Sequence, residues 1–331
     1  MNSFITGQVQ TVIENLYLLE SSFCGSPILE SDIQRVRDSI NLVKGVDLVI
    51  KQPPRRFLAG ERSTTLDTNI HQTREAVAVL ETIAEMPTLK EWCARVSTVM
   101  VRATQRVIED HRTTVGRQIQ GLYVIVDPEA TKGRSVIEVS EAALKGGANV
   151  LQLRNKSGAS AEFLKTAKML KMICDDYQRL FICNDDPTIA KLSNASGLHI
   201  GQEDLSVSEV RQILRCGQLV GRSNNSLDEV LASVQDGVDY VAVGAVFTTQ
   251  TVGKGSRRAI GVAGVEQAKE AISKPVVAIG GINVGNAAEV VRAGADAVSV
   301  ISAVTMKDDV QSAASELADV INRAYQGGRN G

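Results

Sequence analysis

Eight short apolar runs follow one another after Gly121, and most are separated by amphipathic stretches of helical length. The runs are Leu122–Val126, Val150–Leu153, Leu180–Cys183, Leu198–Ile200, Leu219–Val220, Tyr240–Val243, Val276–Ile279 and Ala297–Ile301. Between them lie segments such as Glu162–Tyr177, Ser226–Gln235 and Gly285–Ala293. Strands that are nearly continuous in apolar residues belong to parallel sheets covered on both faces. Eight such units predict a (β/α)8 barrel, with an open doubly wound sheet as the competing arrangement.

The front of the chain differs. Of 27 glycines only Gly7, Gly25, Gly45 and Gly60 precede residue 116. Apolar residues there recur every three or four positions: Val9, Val12, Ile13, Leu16 and Leu19; Ile33, Val36, Ile40 and Val43; Ile70, Val77, Leu80, Ile83 and Ala84; and Trp92, Val96, Val99, Val107 and Ile108. That spacing predicts helices, broken after the second by Lys51-Gln-Pro-Pro-Arg-Arg56. The expected organisation is therefore an all-helical domain over 1–115 and a barrel over 121–331. Two domains also suit 331 residues.

Composition narrows the function. A net charge of −2 argues against nucleic-acid binding through whole-chain charge. The apolar fraction of 44% is ample for real cores. No apolar run approaches the ~20 residues of a membrane span, and the first residues do not read as a signal peptide. Cys24, Cys93, Cys174, Cys183 and Cys216 are odd in number and scattered. They suit small core positions in a reducing cytoplasm better than a disulfide framework or a zinc site.

In a (β/α)8 barrel the chemistry sits where strands end. Gln152 in the second run alternates with Arg154 and Lys156 just after it, and period-two spacing puts them on one side of an extended segment. Asn184 and Asp185 follow the third run, Gly201-Gln202-Glu203-Asp204 the fourth, and Ser223 the fifth. Thr249, Thr251 and a Gly-flanked Lys254 follow the sixth. Gly280-Gly281 follows the seventh, and Ser299 and Ser302 mark the eighth. Arg154, Lys156 and Lys254 form a basic set, and Asp185 and Asp204 are carboxylates on adjacent strand ends. Cations facing carboxylates fit a polyphosphate held partly by side chains and partly by Mg²⁺. The glycines after run seven and the small residues after run eight fit a second, backbone-bound phosphate.

Plainer roles compete at several positions. Asp185 could cap the helix that Pro187 begins, and Asp204 could cap the next. Ser223 could be a turn residue. His199 reads as structural, and His71 and His111 as surface residues.

The stretches GLYVIVD (121–127), GGANVLQLRNKS (146–157), FICNDDPTIA (181–190), SGLHIGQEDL (196–205), DYVAVGAVFTTQT (239–251), KPVVAIGGIN (274–283) and GADAVSVISAV (294–304) resemble the thiamine-phosphate synthase family. The helical front resembles a domain fused to some of these synthases. The resemblance implies a transferase that joins hydroxymethylpyrimidine pyrophosphate and thiazole phosphate into thiamine phosphate, with Mg²⁺-assisted dissociative loss of pyrophosphate. It implies Arg154, Lys156 and Asn184 on the pyrophosphate with Ser223, Asp185 and Asp204 on Mg²⁺, and Gln152 on the pyrimidine. Thr249, Thr251, Gly281 and the Ile301–Ser302 backbone would hold the thiazole phosphate. Partners would be these small molecules alone, with homo-oligomerisation left open.

Three positions depart from the family pattern. Asp186 stands where an arginine is usual, Asn224-Asn225 lacks a histidine, and Val252 occupies the place of a lysine, which Lys254 could supply from two residues on. Alternatives are a thiazole tautomerase of the same fold and a non-catalytic ligand-binding regulator. The missing histidine and the retained Asp185 and Asp204 oppose the first. The retained Gln152, Arg154, Lys156, Asn184 and Asp204 oppose the second.

Overall fold

A computed structural model of the chain describes residues 3–22, 31, 33–36, 62–83, 87–155, 160–248 and 259–327. It divides into two compact units, Met1–Asp110 and His111–Gly331.

The first unit is helical among the described residues. Helix α1 spans Ser3–Ser22, α2 spans Arg62–Ile83 and α3 spans Pro87–Gly116, its residues from His111 on counting with the second unit. Their periodic residues meet in one core of Val9, Val12, Ile13, Leu16, Val77, Leu80, Trp92, Val96 and Val99, joined by Ile33 and Val36. The Trp92 indole donates to the Val36 carbonyl at 3.1 Å, so the one polar atom of that ring is satisfied in the core. The expected Lys51–Arg56 break and the positions Leu19, Ile40, Val43, Ile70, Ile83 and Ala84 lie outside the residues whose side chains are described.

The second unit is the barrel. Strands β1 (Gly121–Val126), β2 (Val150–Leu153), β3 (Leu180–Asn184), β4 (Gly197–Ile200), β5 (Leu219–Asn224), β6 (Tyr240–Val243), β7 (Val276–Ile279) and β8 (Ala297–Val300) pair in parallel. They run in sequence order and close when β8 pairs with β1, Gly121 opposite Ala297. Closure excludes the open doubly wound sheet. Alternate residues divide between two cores. Leu122, Val124, Val126, Leu151, Leu153, Phe181 and Cys183 face the surrounding helices. Tyr123, Ile125, Val150, Leu180, Ile182, Leu219, Tyr240, Ala242, Val277 and Ala297 fill the barrel. Burial on both faces is why the strands read as unbroken apolar runs.

Two features differ from the sequence expectation. Strand β5 continues through Gly221-Arg222-Ser223-Asn224, because those residues pair in register with Tyr240 to Val243 of β6. In addition, Ile119 is fully buried in the inner core and Val115 packs beside it. The stretch just before β1 thus closes the N-terminal end of the barrel and does not act as a linker.

Helix caps decide which polar residues remain for chemistry. Asp186 caps the helix Pro187–Leu192, accepting from the amides of Thr188 and Ile189 at 2.8 and 2.9 Å. Ser206 caps Val207–Ile213 in a capping box with Glu209, and Ser226 caps Leu227–Gln235. The capping roles considered for Asp185 and Asp204 are therefore filled by Asp186 and Ser206, and Ser223 lies within β5 and not in a turn. Among the described residues no helix is long and apolar enough to cross a membrane.

Candidate active site

The C-terminal ends of β2 to β5 bring together most of the expected polar residues. Gln152 is inward-facing on β2 and only 2% exposed. Asn184 ends β3, and Asp185 follows it in the left-handed region, at φ 62. Its amide donates to the His199 carbonyl at 2.9 Å, which fixes the turn across β3 and β4. Asp204 folds back so that its carboxylate accepts from the Gly201 amide at 2.6 Å. Ser223 faces the barrel from β5, two residues above Gly221. On the opposite rim lie Gly281, at φ 66, and the Ile301–Ser302 peptide that begins the short helix Ser302–Thr305. A Cβ on Gly281 would stand 2.8 Å from the Thr248 carbonyl oxygen, so only glycine lets these two loops approach. Lys156, Thr249, Thr251 and Lys254 lie outside the described residues, as does Val252.

Arg154 is not a free cation. Its guanidinium pairs with the carboxylate of Asp127, the first residue after β1, whose side chain is 5% exposed. Asp127 is fixed in turn by the Glu129 amide at 3.0 Å. A buried carboxylate thus aims the guanidinium.

A second feature crosses the barrel interior. The Gln152 amide nitrogen donates to the Tyr123 hydroxyl at 2.7 Å. The Tyr123 and Tyr240 hydroxyls are 3.2 Å apart. The Tyr240 hydroxyl meets Nδ1 of His199 at 3.1 Å, and Nε2 of His199 meets the Ser223 hydroxyl at 2.9 Å. The His199 ring also stacks on Tyr240, with centroids 5.7 Å apart. Burial pulls the His199 imidazole down to about 4, so it is neutral at pH 7. Burial likewise raises the Tyr123 and Tyr240 phenols above their ordinary value. The Tyr240 ring fits only because residue 221 has no side chain: a Cβ there would lie 2.0 Å from the ring.

The remaining candidates have structural employment. The buried Asn224 accepts from Ser233 at 2.7 Å and donates to the Arg222 carbonyl at 2.8 Å. The Asn225 amide holds Glu229 at 2.6 Å. His71 is exposed and pairs with Glu75, and His111 is exposed. Burial pushes the Cys174 and Cys183 thiols up to about 12 and that of Cys93 to about 11, which removes them as nucleophiles. Cys24 lies outside the described residues.

Asp127, Tyr123 and Tyr240 were not expected as site residues. Asp127 sits directly after the first apolar run, where the strand-end rule applied to the other strands would have found it.

Strand-end carboxylates, an aimed guanidinium and a glycine-lined rim gather at the C-terminal face of the strands, the face where (β/α)8-barrel enzymes carry their chemistry. The family profile described as thiamine monophosphate synthase matches residues 122–304, more than half of the chain. The chain belongs to that family. It is 38% identical over 201 residues to the thiamine-phosphate synthase of Clostridium tetani, covering 61% of this chain and 95% of that protein. It is 40% identical over 203 residues to the thiamine-phosphate synthase of Moorella thermoacetica, covering 61% and 96%. A solved structure, the thiamine phosphate pyrophosphorylase from Pyrococcus furiosus, superposes with a TM-score of 0.59 at 35% identity, covering 63% of this chain and 98% of that one.

Proposed function

We propose that the barrel joins hydroxymethylpyrimidine pyrophosphate to thiazole phosphate, giving thiamine phosphate and pyrophosphate. The observation that carries this reading is the convergence of Gln152, Asn184, Asp185, Asp204 and Ser223 with the Asp127-aimed Arg154 on one mouth, in a chain of the thiamine monophosphate synthase family.

The bond from the pyrimidine methylene carbon to pyrophosphate breaks first, and the bonding electrons leave with the pyrophosphate. The aminopyrimidine delocalises the resulting positive charge until the thiazole nitrogen captures the carbon. Charge therefore builds on the leaving group, and fixed donors aimed there stabilise the transition state more than the ground state. Arg154, Asn184 and Ser223 supply such donors, with Lys156 and Lys254 from the sequence. Gln152 orients the pyrimidine. Gly281 and the Ile301–Ser302 peptide, with Thr249 and Thr251, hold the thiazole phosphate.

Two carboxylates on neighbouring strand ends suit Mg²⁺, which takes one or two protein carboxylates and fills its octahedron with water and phosphate oxygens. Asp185 and Asp204 would hold it, and its chemistry there is neutralisation of pyrophosphate charge. The free Cys93, Cys174, Cys183 and Cys216 support a cytoplasmic setting.

The test mixes purified protein with both heterocycles and Mg²⁺. Thiamine phosphate and pyrophosphate should appear in equal amounts, and absence of both under saturating substrates removes the reading.

A further inference from the structure

Five polar groups cross the barrel in one unbroken hydrogen-bonded line, yet the strand-end chemistry uses only the two terminal ones, Gln152 and Ser223. Each of the three inner groups has a single hydrogen to give: one on each tyrosine hydroxyl, and one on a neutral imidazole. The Gln152 amide donates into the Tyr123 oxygen. The Tyr123 hydrogen then has the Tyr240 oxygen as its partner, at 3.2 Å. The Tyr240 hydrogen goes to Nδ1 of His199, at 3.1 Å. In the direction that the Gln152 amino group sets, the ring hydrogen sits on Nε2 and points at the Ser223 oxygen, 2.9 Å away. The opposite direction would need the Gln152 amide turned over, its carbonyl accepting from Tyr123 and its amino group turned to the mouth, with the Ser223 hydrogen spent on Nε2.

We infer that Tyr123, Tyr240 and His199 are positioning residues that form an oriented relay, presenting Ser223 to the mouth as a hydrogen-bond donor and Gln152 as an acceptor. The inference rests on the functional reading above only for what those two ends meet. With Nε2–H filling one lone pair of the Ser223 oxygen, the hydroxyl hydrogen is left for a phosphate oxygen. With its amino group engaged on Tyr123, Gln152 turns its carbonyl to the mouth, ready for the exocyclic amino group of the pyrimidine. Both ends thus match their ligands with one proton arrangement. Hydrogen bonds in such a chain polarise one another, so the donor at Ser223 strengthens as charge builds on the leaving pyrophosphate.

Two experiments test this. The first needs no substrate. The chain has three histidines. Replacing the exposed pair, His71→Gln and His111→Gln, leaves His199 as the only source of imidazole signals in ¹⁵N-labelled protein. At neutral pH its spectrum should show Nε2 protonated and Nδ1 bare. A ring protonated at Nδ1, or at both nitrogens, would overturn the relay. The second is kinetic. Tyr240→Phe keeps the ring over Gly221 and removes only the central hydroxyl. It should lower kcat about tenfold, the effect of one hydrogen bond acting in the transition state, while KM for the pyrimidine pyrophosphate changes less than about twofold. Because the effect passes through Ser223, Tyr240→Phe should cost almost nothing further in a Ser223→Ala background. Independent, multiplying losses would refute that route. If the unaltered chain makes no thiamine phosphate, the functional reading fails while the imidazole spectrum still decides the relay.

Discussion

The ion pair behind the site can be broken without changing side-chain size, by Asp127→Asn. The Asp127 side chain is 5% exposed and that of Arg154 is 18% exposed. Removing one member of a pair this buried leaves the other charge uncompensated and typically costs about 3–5 kcal/mol. Asparagine keeps an oxygen that can accept from the Glu129 amide, as Asp127 does at 3.0 Å, so the loss should lie near the low end, about 3 kcal/mol. Arg154 loses its aim as well. A guanidinium that no longer faces the pyrophosphate should lower kcat/KM about 100-fold, equal to about 2.7 kcal/mol of transition-state binding. Urea unfolding reads the first effect, and steady-state assay of thiamine phosphate reads the second. A control separates them: Asp127→Leu with Arg154→Met replaces the pair by apolar groups. It should recover stability to within about 1 kcal/mol of the original chain while activity stays lost. An Asp127→Asn protein that unfolds within about 0.5 kcal/mol of the original, the range of an ordinary surface change, with unchanged kcat/KM would refute the reasoning.

The His199 imidazole is held near 4 against an ordinary 6.5, so below pH 6.5 the unfolded chain binds a proton that the folded chain refuses. Its contribution is complete above pH 6.5 and declines toward pH 4 by up to about 3 kcal/mol; the gap in unfolding free energy between the original chain and His199→Asn should narrow across that window, and a constant gap contradicts it. Activity should require Mg²⁺, and Asp185→Ala and Asp204→Ala should each cost several kcal/mol of transition-state stabilisation; full activity of both variants in a strong chelator rules this out. Lys254→Ala should lower kcat roughly 100-fold and Arg257→Ala, at a second cation three residues further along the sequence, less; the reverse order at saturating substrate assigns the role to the arginine. A fragment beginning at His111 should fold and turn over. One beginning at Gly121 should lose at least the burial of Ile119, about 1.5–3 kcal/mol, as read by urea midpoint, and equal midpoints for the two fragments would show that the end closure contributes nothing.

The barrel was legible because strands buried on both faces leave continuous apolar runs that glycine-marked turns separate. The same signal failed in two places. The second half of β5 is Gly-Arg-Ser-Asn, polar enough to read as loop, yet its pairing with β6 carries it to Asn224. Val115 and Ile119 lie between helix and strand patterns, and only the closed barrel shows that its open end needs them. The strand-end rule pointed to Asp185 and Asp204 because polar residues at apolar boundaries stand out, and Gln152 stood out as the polar residue inside the run Val150–Leu153. Tyr123 and Tyr240 stayed hidden, since a tyrosine inside an apolar strand gives no sign that its hydroxyl meets another polar group. His199 is as buried as its structural reading required, and the sequence carries no sign that its ring meets both Tyr240 and Ser223. Which aspartate caps a helix depends on a single residue of phase, so Asp186 and Asp185 could be told apart only once the turn had a conformation.

Gly221 and Tyr240 bind two lines of descent together. With 2.0 Å between a Cβ at one and the ring of the other, a population drifting through this sequence cannot gain even alanine at 221 unless residue 240 shrinks first or with it. A smaller residue at 240 also deletes the hydroxyl between Tyr123 and His199. The history of the inner wall is therefore tied to the history of the chemistry. Relatives that carry a side chain at the position of Gly221 should lack the tyrosine, and should have found another way to hold their serine.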